Sequence, residues 1–242
     1  MIQTINPKYE RLTNFIKTIP DIFETQGTSI YKARNELKTY NVGGYNIVVK
    51  SFQKPHFINR IAYGFFRSSK AKRSYEYAPE LLKRNVPTPE PIAFIEDKKN
   101  GLLNRSFYIC LFEKEYEHIR QYMNGEKKDD ALLKNLAAFI ADVHNKGVDF
   151  WDMSPGNILW KKTETGDFLF SLVDINRMNF KPHLSEKERI KRFERLSYKN
   201  DVIDALASHY ANVRNLDKEK TVADIKNTCA RFFMKKYNRK LH

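Results

Sequence analysis

Asp152-Met153-Ser154-Pro155-Gly156-Asn157-Ile158-Leu159 is the stretch on which the reading of the fold turns. A carboxylate is followed five positions later by an amide, inside a loop marked by Pro155 and Gly156. Before it, Asp129-Asp130-Ala131-Leu132-Leu133 opens a long helical pattern. Leu132, Leu133, Leu136, Ala137, Ile140, Val143 and His144 share one face, and Gly147 follows the end. After it come two short apolar segments, Asn157-Ile158-Leu159-Trp160 and Phe168-Leu169-Phe170-Ser171-Leu172-Val173, the second closed by Asp174. From about Ser185 the pattern is helical and densely basic.

Toward the N-terminus the pattern changes period. In TSIYKARNELKTYNVGGYNIVVKSF, β-branched and aromatic residues lie on both sides of Gly43-Gly44, which reads as strands joined by a turn. The last of these strands, Tyr45 to Phe52, contains Lys50. Residues 68–84 read as a helix that Ser68 or Ser69 caps, Pro79 strains and Val86-Pro87-Thr88-Pro89 stops. Glu76 sits in its middle. PIAFIED and SFYICLFE read as a hairpin across Lys98-Lys99-Asn100-Gly101. Residues 1–25 are expected to be helical or irregular, ending after Pro20. Strands therefore dominate the first part and helices the second, an α+β chain.

Composition narrows the class. With 41% hydrophobic and 30% charged residues among 242, and 17 Phe and 13 Tyr, the chain has material for a packed core rather than disorder. No apolar run approaches the roughly 18 residues of a membrane span, and no secretory start is seen. Two cysteines, Cys110 and Cys229, make neither a disulfide framework nor a four-thiolate zinc site. These facts exclude a secreted mini-protein, an integral membrane protein and a collagen-like fibre, and the expectation is a cytosolic chain. The net charge of +14 attracts polyanions: nucleic acid, anionic lipid or phosphorylated glycans. Without zinc-finger spacing, an RNA-recognition aromatic signature or a basic zipper, nucleic acid is not the expected partner.

Four features in chain order suit phosphoryl transfer: Lys50 on a strand, Glu76 on the next helix, the Asp152–Asn157 loop, and Asp174. A strand lysine can hold nucleotide phosphates, a helix glutamate can hold the lysine, and Asn and Asp oxygens are hard ligands for Mg²⁺. A separate Asp can accept or orient the acceptor hydroxyl. Taken singly, each has a bland reading: an edge lysine, a solvated helix charge, a residue that starts a turn. Their joint order carries the signal.

Over roughly residues 30 to 180 the chain resembles the lipopolysaccharide kinase family of Kdo and heptose kinases, a branch of the protein-kinase-like superfamily. The resemblance lies in Tyr45 to Lys50, Ser69-Lys70-Ala71-Lys72-Arg73-Ser74-Tyr75-Glu76 and Val86-Pro87-Thr88-Pro89-Glu90-Pro91. It continues in Ser154 to Leu159 and Leu172-Val173-Asp174-Ile175-Asn176-Arg177-Met178. It implies one kinase-like domain over 1–242, with a sheet-rich N-terminal lobe at 1–112 and a mostly helical C-terminal lobe at 113–242. It further implies ATP and Mg²⁺ as cofactors, Lys50 on the ATP phosphates and paired with Glu76, Asp152 as catalytic base, and Asn157 and Asp174 on the metal. The segment from Leu111 to Tyr116 would join the lobes and meet the adenine. The implied acceptor is an anionic glycolipid, Kdo on lipid A first and heptose second. The implied place is the cytoplasmic face of the inner membrane of a Gram-negative cell.

Three departures stand out. No G-x-G-x-x-G precedes Lys50; Gly43-Gly44 lies too close to it and fits a turn, so the phosphate cover falls to Lys32-Ala33-Arg34-Asn35. Phe150 stands where kinases usually have His. Asn176 stands where protein kinases have the Gly after the metal-binding Asp, which speaks against a mobile activation loop. Of the remaining residues, His144 reads as a core histidine, Asp149 as structural and Cys110 as core. The basic runs are Lys70, Lys72 and Arg73, then Lys187, Arg189, Lys191, Arg192 and Arg195, then Arg231, Lys235, Lys236, Arg239 and Lys240. Each reads as a solvated helix face, or as a face turned to anionic glycolipid and membrane lipid, the last beside Phe232, Phe233, Met234 and Tyr237. The competing readings are a protein or small-molecule kinase, and a basic pseudokinase or nucleic-acid-binding module without turnover.

Overall fold

The computed structural model describes residues 2–53, 68–99 and 102–238. Asn100 and Gly101 of the expected hairpin turn, and Arg239 and Lys240 of the last basic run, lie outside the described residues. The chain separates into two compact units: Met1–Lys83 with Thr88–Lys114, and Arg84–Pro87 with Glu115–His242. The last division falls within the Leu111 to Tyr116 segment.

The first unit contains β1 (Ile2–Ile5), α1 (Thr13–Ile22), β2 (Thr28–Lys32), β3 (Glu36–Val42), β4 (Tyr45–Phe52), α2 (Lys70–Lys83), β5 (Pro91–Lys99) and β6 (Leu102–Leu111). Its strands form one antiparallel sheet in the order β1-β5-β6-β4-β3-β2. Gly43 and Gly44 take φ of +57° and +78°, the left-handed pair that a two-residue hairpin between β3 and β4 needs. Alternation along β4 divides the core. Ile47 and Val49 join Ile16 and Ile19 of α1 with Ile95 and Phe107. Val48 and Phe52 join Ala71 of α2 with Phe94 and Tyr108. Each fully buried side chain of this size contributes roughly 2 kcal/mol relative to exposure. Lys50, between Val48 and Phe52, is thereby set on the α2 side of the sheet. Its Nζ stands 5.1 Å from the centre of the Phe52 ring.

The expectation for residues 1–25 needs two corrections. Ile2–Ile5 is a strand, paired with Ala93 to Glu96 at the sheet edge. Four residues carry too short a pattern to show period 2, and their partner lies far along the chain. Pro20 does not end the helix; α1 runs through it to Ile22, with the Pro20 ring buried. What closes α1 is Lys38, a buried lysine whose Nζ donates to Phe23 O at 2.5 Å and to Glu24 O and Gln26 O at 3.2 Å. Phe23 is the C-cap residue, and Glu24 and Gln26 belong to the turn that follows, so Lys38 gathers the carbonyls of the exit from α1. At the start of α2, Ser69 Oγ accepts from Lys72 N at 3.0 Å, so Ser69 is the cap.

The second unit contains β7 (Glu117–His118), α3 (Arg120–Met123), α4 (Asp130–Asn145), β8 (Val148–Phe150), β9 (Ile158–Lys162), β10 (Phe168–Leu172) and β11 (Met178–Phe180). After these come α5 (Glu186–Lys191), a 3-10 turn (Arg192–Arg195), α6 (Asn200–Arg214) and α7 (Lys218–Asn238). The strands pair as β10-β9-β7 and β11-β8. Asp129 caps α4 by accepting from Leu132 N at 2.9 Å, and α4 packs on α6, which packs on α7. The end of α4 is set by Gly147, with φ +71° and its amide donating to His144 O at 3.1 Å. Its carbonyl accepts from Lys181 N at 2.8 Å and so begins the β8–β11 pairing. A Cβ at this position would lie 1.8 Å from the Lys181 carbonyl oxygen.

His144 is fully buried on α4, in edge contact with the rings of Phe193 and Tyr210. Its Nδ1 is 2.9 Å from the Tyr210 hydroxyl, and its Nε2 has no partner. Burial, and then the charges of Arg189, Arg214 and Arg192, push its pKa from 6.5 down to about 3. The unfolded chain therefore takes up a proton near pH 6.5 that the native state refuses. The stability tied to this residue is complete above that pH and lost as pH falls toward 3, by up to about 1.4 kcal/mol per pH unit. His144→Phe is expected to show a smaller drop in melting temperature than wild type between pH 7 and pH 5. Equal drops in the two proteins would contradict the assignment.

Candidate active site

Three of the five candidate residues lie in the second unit, and backbone hydrogen bonds bring them together. β8 pairs with β11 in the register Phe150↔Met178, and Trp151 N donates to Arg177 O at 3.1 Å, which carries the pairing to the threshold of Asp152. The loop then turns on Asn157, whose amide donates to Ser154 O at 2.9 Å. Its Nδ2 donates to Asp152 O at 2.8 Å, and its carbonyl accepts from Val173 N at 3.0 Å. Asn157 thus fastens the Asp152 loop to the strand end that presents Asp174. The short strands β8 and β11 carry too few residues for their pattern to be read in sequence, yet they fix where Asp152 begins.

Asp174 has φ of +55°, a left-handed conformation that costs energy outside glycine and that Asp tolerates better than most residues. Asn176 Nδ2 donates to Asp174 Oδ1 at 2.5 Å. The residue that replaces the usual glycine therefore helps to orient this carboxylate. Asn157 spends its Nδ2 on Asp152 O, which leaves Oδ1 as the atom it offers. Carboxylate and amide oxygens on adjoining segments suit a hard cation. Mg²⁺ is commonly held by one or two carboxylates together with waters and substrate phosphates. Asn157 and Asp174 fit that pattern, although no group of three or more His, Cys, Asp or Glu among the described residues forms a metal cage.

The Asp152 carboxylate, 15% exposed, is not alone. Arg195 Nη1 donates to Oδ1, and Arg177 Nη1 stands 3.5 Å from Oδ1 and 3.4 Å from Oδ2. Asp149 is placed as a structural carboxylate. It is buried, accepts from Trp151 Nε1 at 2.9 Å, and lies 2.7 Å from Arg192 Nε and 3.6 Å from Lys181 Nζ. Phe150, where kinases usually have His, is fully buried and fills its place by packing.

These contacts revise the reading of the second basic run. It is not a solvated helix face. Arg189, Arg192 and Arg195 recur every three residues and turn inward. Arg189 donates to Leu184 O at 2.9 Å and Asn145 Oδ1 at 2.7 Å, Arg192 meets Asp149, and Arg195 meets Asp152. The three-residue spacing was the available signal, since it puts these three on one side of a helical turn and leaves Lys187 and Lys191 outside it.

Lys50 and Glu76 lie in the first unit. Glu76 is exposed and meets Lys72, one helical turn earlier, at 3.8 Å, so the ion pair expected with Lys50 is not formed. Four-residue spacing on α2 makes Lys72 the local competitor for that carboxylate. The segment expected to cover phosphates is the turn between β2 and β3. Ala33 N donates to Asn35 O at 3.0 Å, and Asn35 Oδ1 accepts from Gln53 N at 3.1 Å. The register Leu37↔Lys50 and Glu36↔Ser51 sets this turn at the Lys50 end of β4. Cys110 and Cys229 are buried, and burial raises both thiols to about 12, so neither is a nucleophile.

The sequence pattern of the lipopolysaccharide kinase (Kdo/WaaP) family matches residues 30–231. No curated protein matches the chain. Among solved structures, one of WaaP in complex with acyl carrier protein aligns with 96% of this chain and 100% of that one, at 16% identity and a TM-score of 0.62. A Rio2 kinase–ADP/Mg²⁺–phosphoaspartate complex from Chaetomium thermophilum aligns with 96% of this chain and 78% of that one, at 13% identity and a TM-score of 0.46. The likeness to WaaP shows a protein-kinase-like fold.

Proposed function

We propose, because the chain belongs to the lipopolysaccharide kinase (Kdo/WaaP) family, that it phosphorylates Kdo on lipid A, with an inner-core heptose as the second choice of acceptor. The family is one of kinases, and the enzyme is an ATP-dependent sugar phosphotransferase. The observation that carries the residue-level reading is Asn157, which ties the Asp152 loop to the Asp174 strand end through side chain and backbone.

In this reading Asp152 accepts the proton of the acceptor hydroxyl. The new O–P bond forms as the bond from the γ-phosphorus to the departing ADP oxygen breaks. Lys50 meets the phosphates with positive charge, and Lys32 and Arg34 of the β2–β3 turn cover them with side-chain cations instead of glycine backbone. Asn157 and Asp174 hold Mg²⁺, which when bound adds positive charge against the triphosphate. Lys50 exchanges its surroundings for Glu76 when nucleotide binds.

The end of α7 supports contact with anionic lipid at a membrane surface, and so a place on the cytoplasmic face of the inner membrane. Arg231, Lys235 and Lys236 lie there with Met234 and Tyr237, which are 67% and 65% exposed. No described helix is long and apolar enough to cross a membrane.

The test is transfer of labelled phosphate from ATP, with Mg²⁺, to purified Kdo–lipid A and to a heptose-extended acceptor. Label on Kdo is the expected result. Label only on the heptose-extended acceptor would move the assignment to heptose, and label on neither would remove the acceptor class.

A further inference from the structure

We propose that Arg195 and Arg177 form an anion subsite beside Asp152, which takes a carboxylate or phosphate of the acceptor next to the hydroxyl that receives phosphate. This rests on the kinase reading above and adds the residues that select the acceptor.

The charge does not balance within the protein. Three cations, Arg195, Arg177 and Lys191, share two carboxylates, Asp152 and Glu194. The next acid, Glu194, is held by Lys191 at 2.6 Å and lies 3.8 Å from Arg195 Nε. Asp149 is taken by Arg192 and Lys181. The donors do not balance either. A guanidinium has five N–H groups in a planar fork. Arg195 places Nη1 on Asp152, while its buried Nε has no hydrogen-bond partner. Arg177 reaches Asp152 only at 3.4–3.5 Å and is 52% exposed on its side chain.

Both groups are nevertheless positioned. Arg195 lies over the Phe232 ring, 5.2 Å from its centre, a contact that fixes the guanidinium without using its donors. Arg177 is anchored beside Asp152 at its main chain, whose carbonyl accepts from Trp151 N, while its guanidinium is placed by the 3.4–3.5 Å contact with the Asp152 carboxylate. Planar forks of this kind match carboxylate and phosphate oxygens two at a time. An acceptor anion on Arg195 replaces one carboxylate partner by another. No guanidinium is stranded, and Asp152 Oδ1 is released to the hydroxyl it must serve. Exchange of partners avoids the penalty of leaving a half-buried charge unpaired.

The experiment compares three acceptors: Kdo–lipid A, the same glycolipid with its carboxylate reduced to an alcohol, and the same glycolipid with its lipid A phosphates removed. Arg195→Gln is expected to lose about 10- to 100-fold in kcat/KM, mainly through KM, on acceptors that keep the recognised anion. On the acceptor without that anion, variant and wild type should differ little. Protection by carboxyl reduction identifies the carboxylate; protection by dephosphorylation identifies the phosphate. Arg195→Lys, which keeps the charge and the stem over Phe232, should recover part of the loss. Arg177→Gln should follow the same pattern at smaller size. An equal loss on all three acceptors, or no recovery in Arg195→Lys, would overturn the subsite and leave Arg195 as a clamp on Asp152. Failure of the wild type to label any of the three would instead overturn the acceptor reading, and the subsite with it.

Discussion

Asp152→Asn is expected to lower kcat for phosphoryl transfer by roughly 100- to 10,000-fold, the range for loss of a general base, while the protein keeps its melting temperature. Asparagine preserves the shape of the side chain and one acceptor oxygen, but it cannot take the proton of a hydroxyl. The loop should hold, because Asn157 Nδ2 binds the main-chain carbonyl of residue 152 and not its carboxylate. Arg195 and Arg177 lose a charged partner, yet both are at least 32% exposed on their side chains, so water replaces it at modest cost. Alanine would be the poorer probe, since it removes every acceptor those guanidiniums have at that position. A fall in kcat with KM for ATP unchanged would mark an interaction made in the transition state. Full turnover in the folded variant would remove Asp152 from the chemistry. The duty could not pass to Asp149, which is buried and already shared among Trp151, Arg192 and Lys181.

The second large effect is on stability. Gly147→Ala is expected to cost about 2–5 kcal/mol, from left-handed strain and overpacking together. That is a sizeable share of the roughly 5–15 kcal/mol that holds a typical domain. Two conditions coincide at Gly147. Its φ of +71° disfavours any side chain, and a Cβ would meet the Lys181 carbonyl oxygen at 1.8 Å. That carbonyl is main chain and cannot swing away. Relief would require β11 to move off β8, which breaks Lys181 N to Gly147 O and shifts the register that ends at Asp152. Urea unfolding would measure the loss, and a change below 1 kcal/mol would contradict it. Activity should fall with stability, because the strand pair that places the Asp152 loop is the one disturbed.

Much of this architecture is readable from local pattern. Gly43-Gly44 between two β-rich runs, Ser69 before α2, and the apolar stripe of α4 each state an element and its end within a few residues. Asp152, Asn157 and Asp174 lie close along the chain, and the short loop between β8 and β9 together with the end of β10 joins their segments. What escaped is what depends on distant partners. β7, β8 and β11 are two or three residues long and exist only through their pairing. Arg177 and Arg195 reach Asp152 from 25 and 43 residues away. Lys38 looks like any strand lysine until the carbonyls after α1 converge on it. Glu76 is on the helix where the pattern put it, and in this structure its carboxylate lies 3.8 Å from Lys72, one helical turn earlier.

The pairing of Ile2–Ile5 with Ala93 to Glu96 also sets a schedule. During synthesis, the first strand leaves the ribosome about ninety residues before its partner, which at roughly 5–20 residues per second is a wait of about 5 to 20 seconds. The apolar face of α1 waits with it, since Ile16 and Ile19 pack against Ile95 and Phe107 from the same late hairpin. The earliest strand of the sheet therefore stays unpaired until β5 has been made. Until then its exposed apolar side chains and unpaired strand edge are open to holdase chaperones and to wrong association with neighbouring nascent chains.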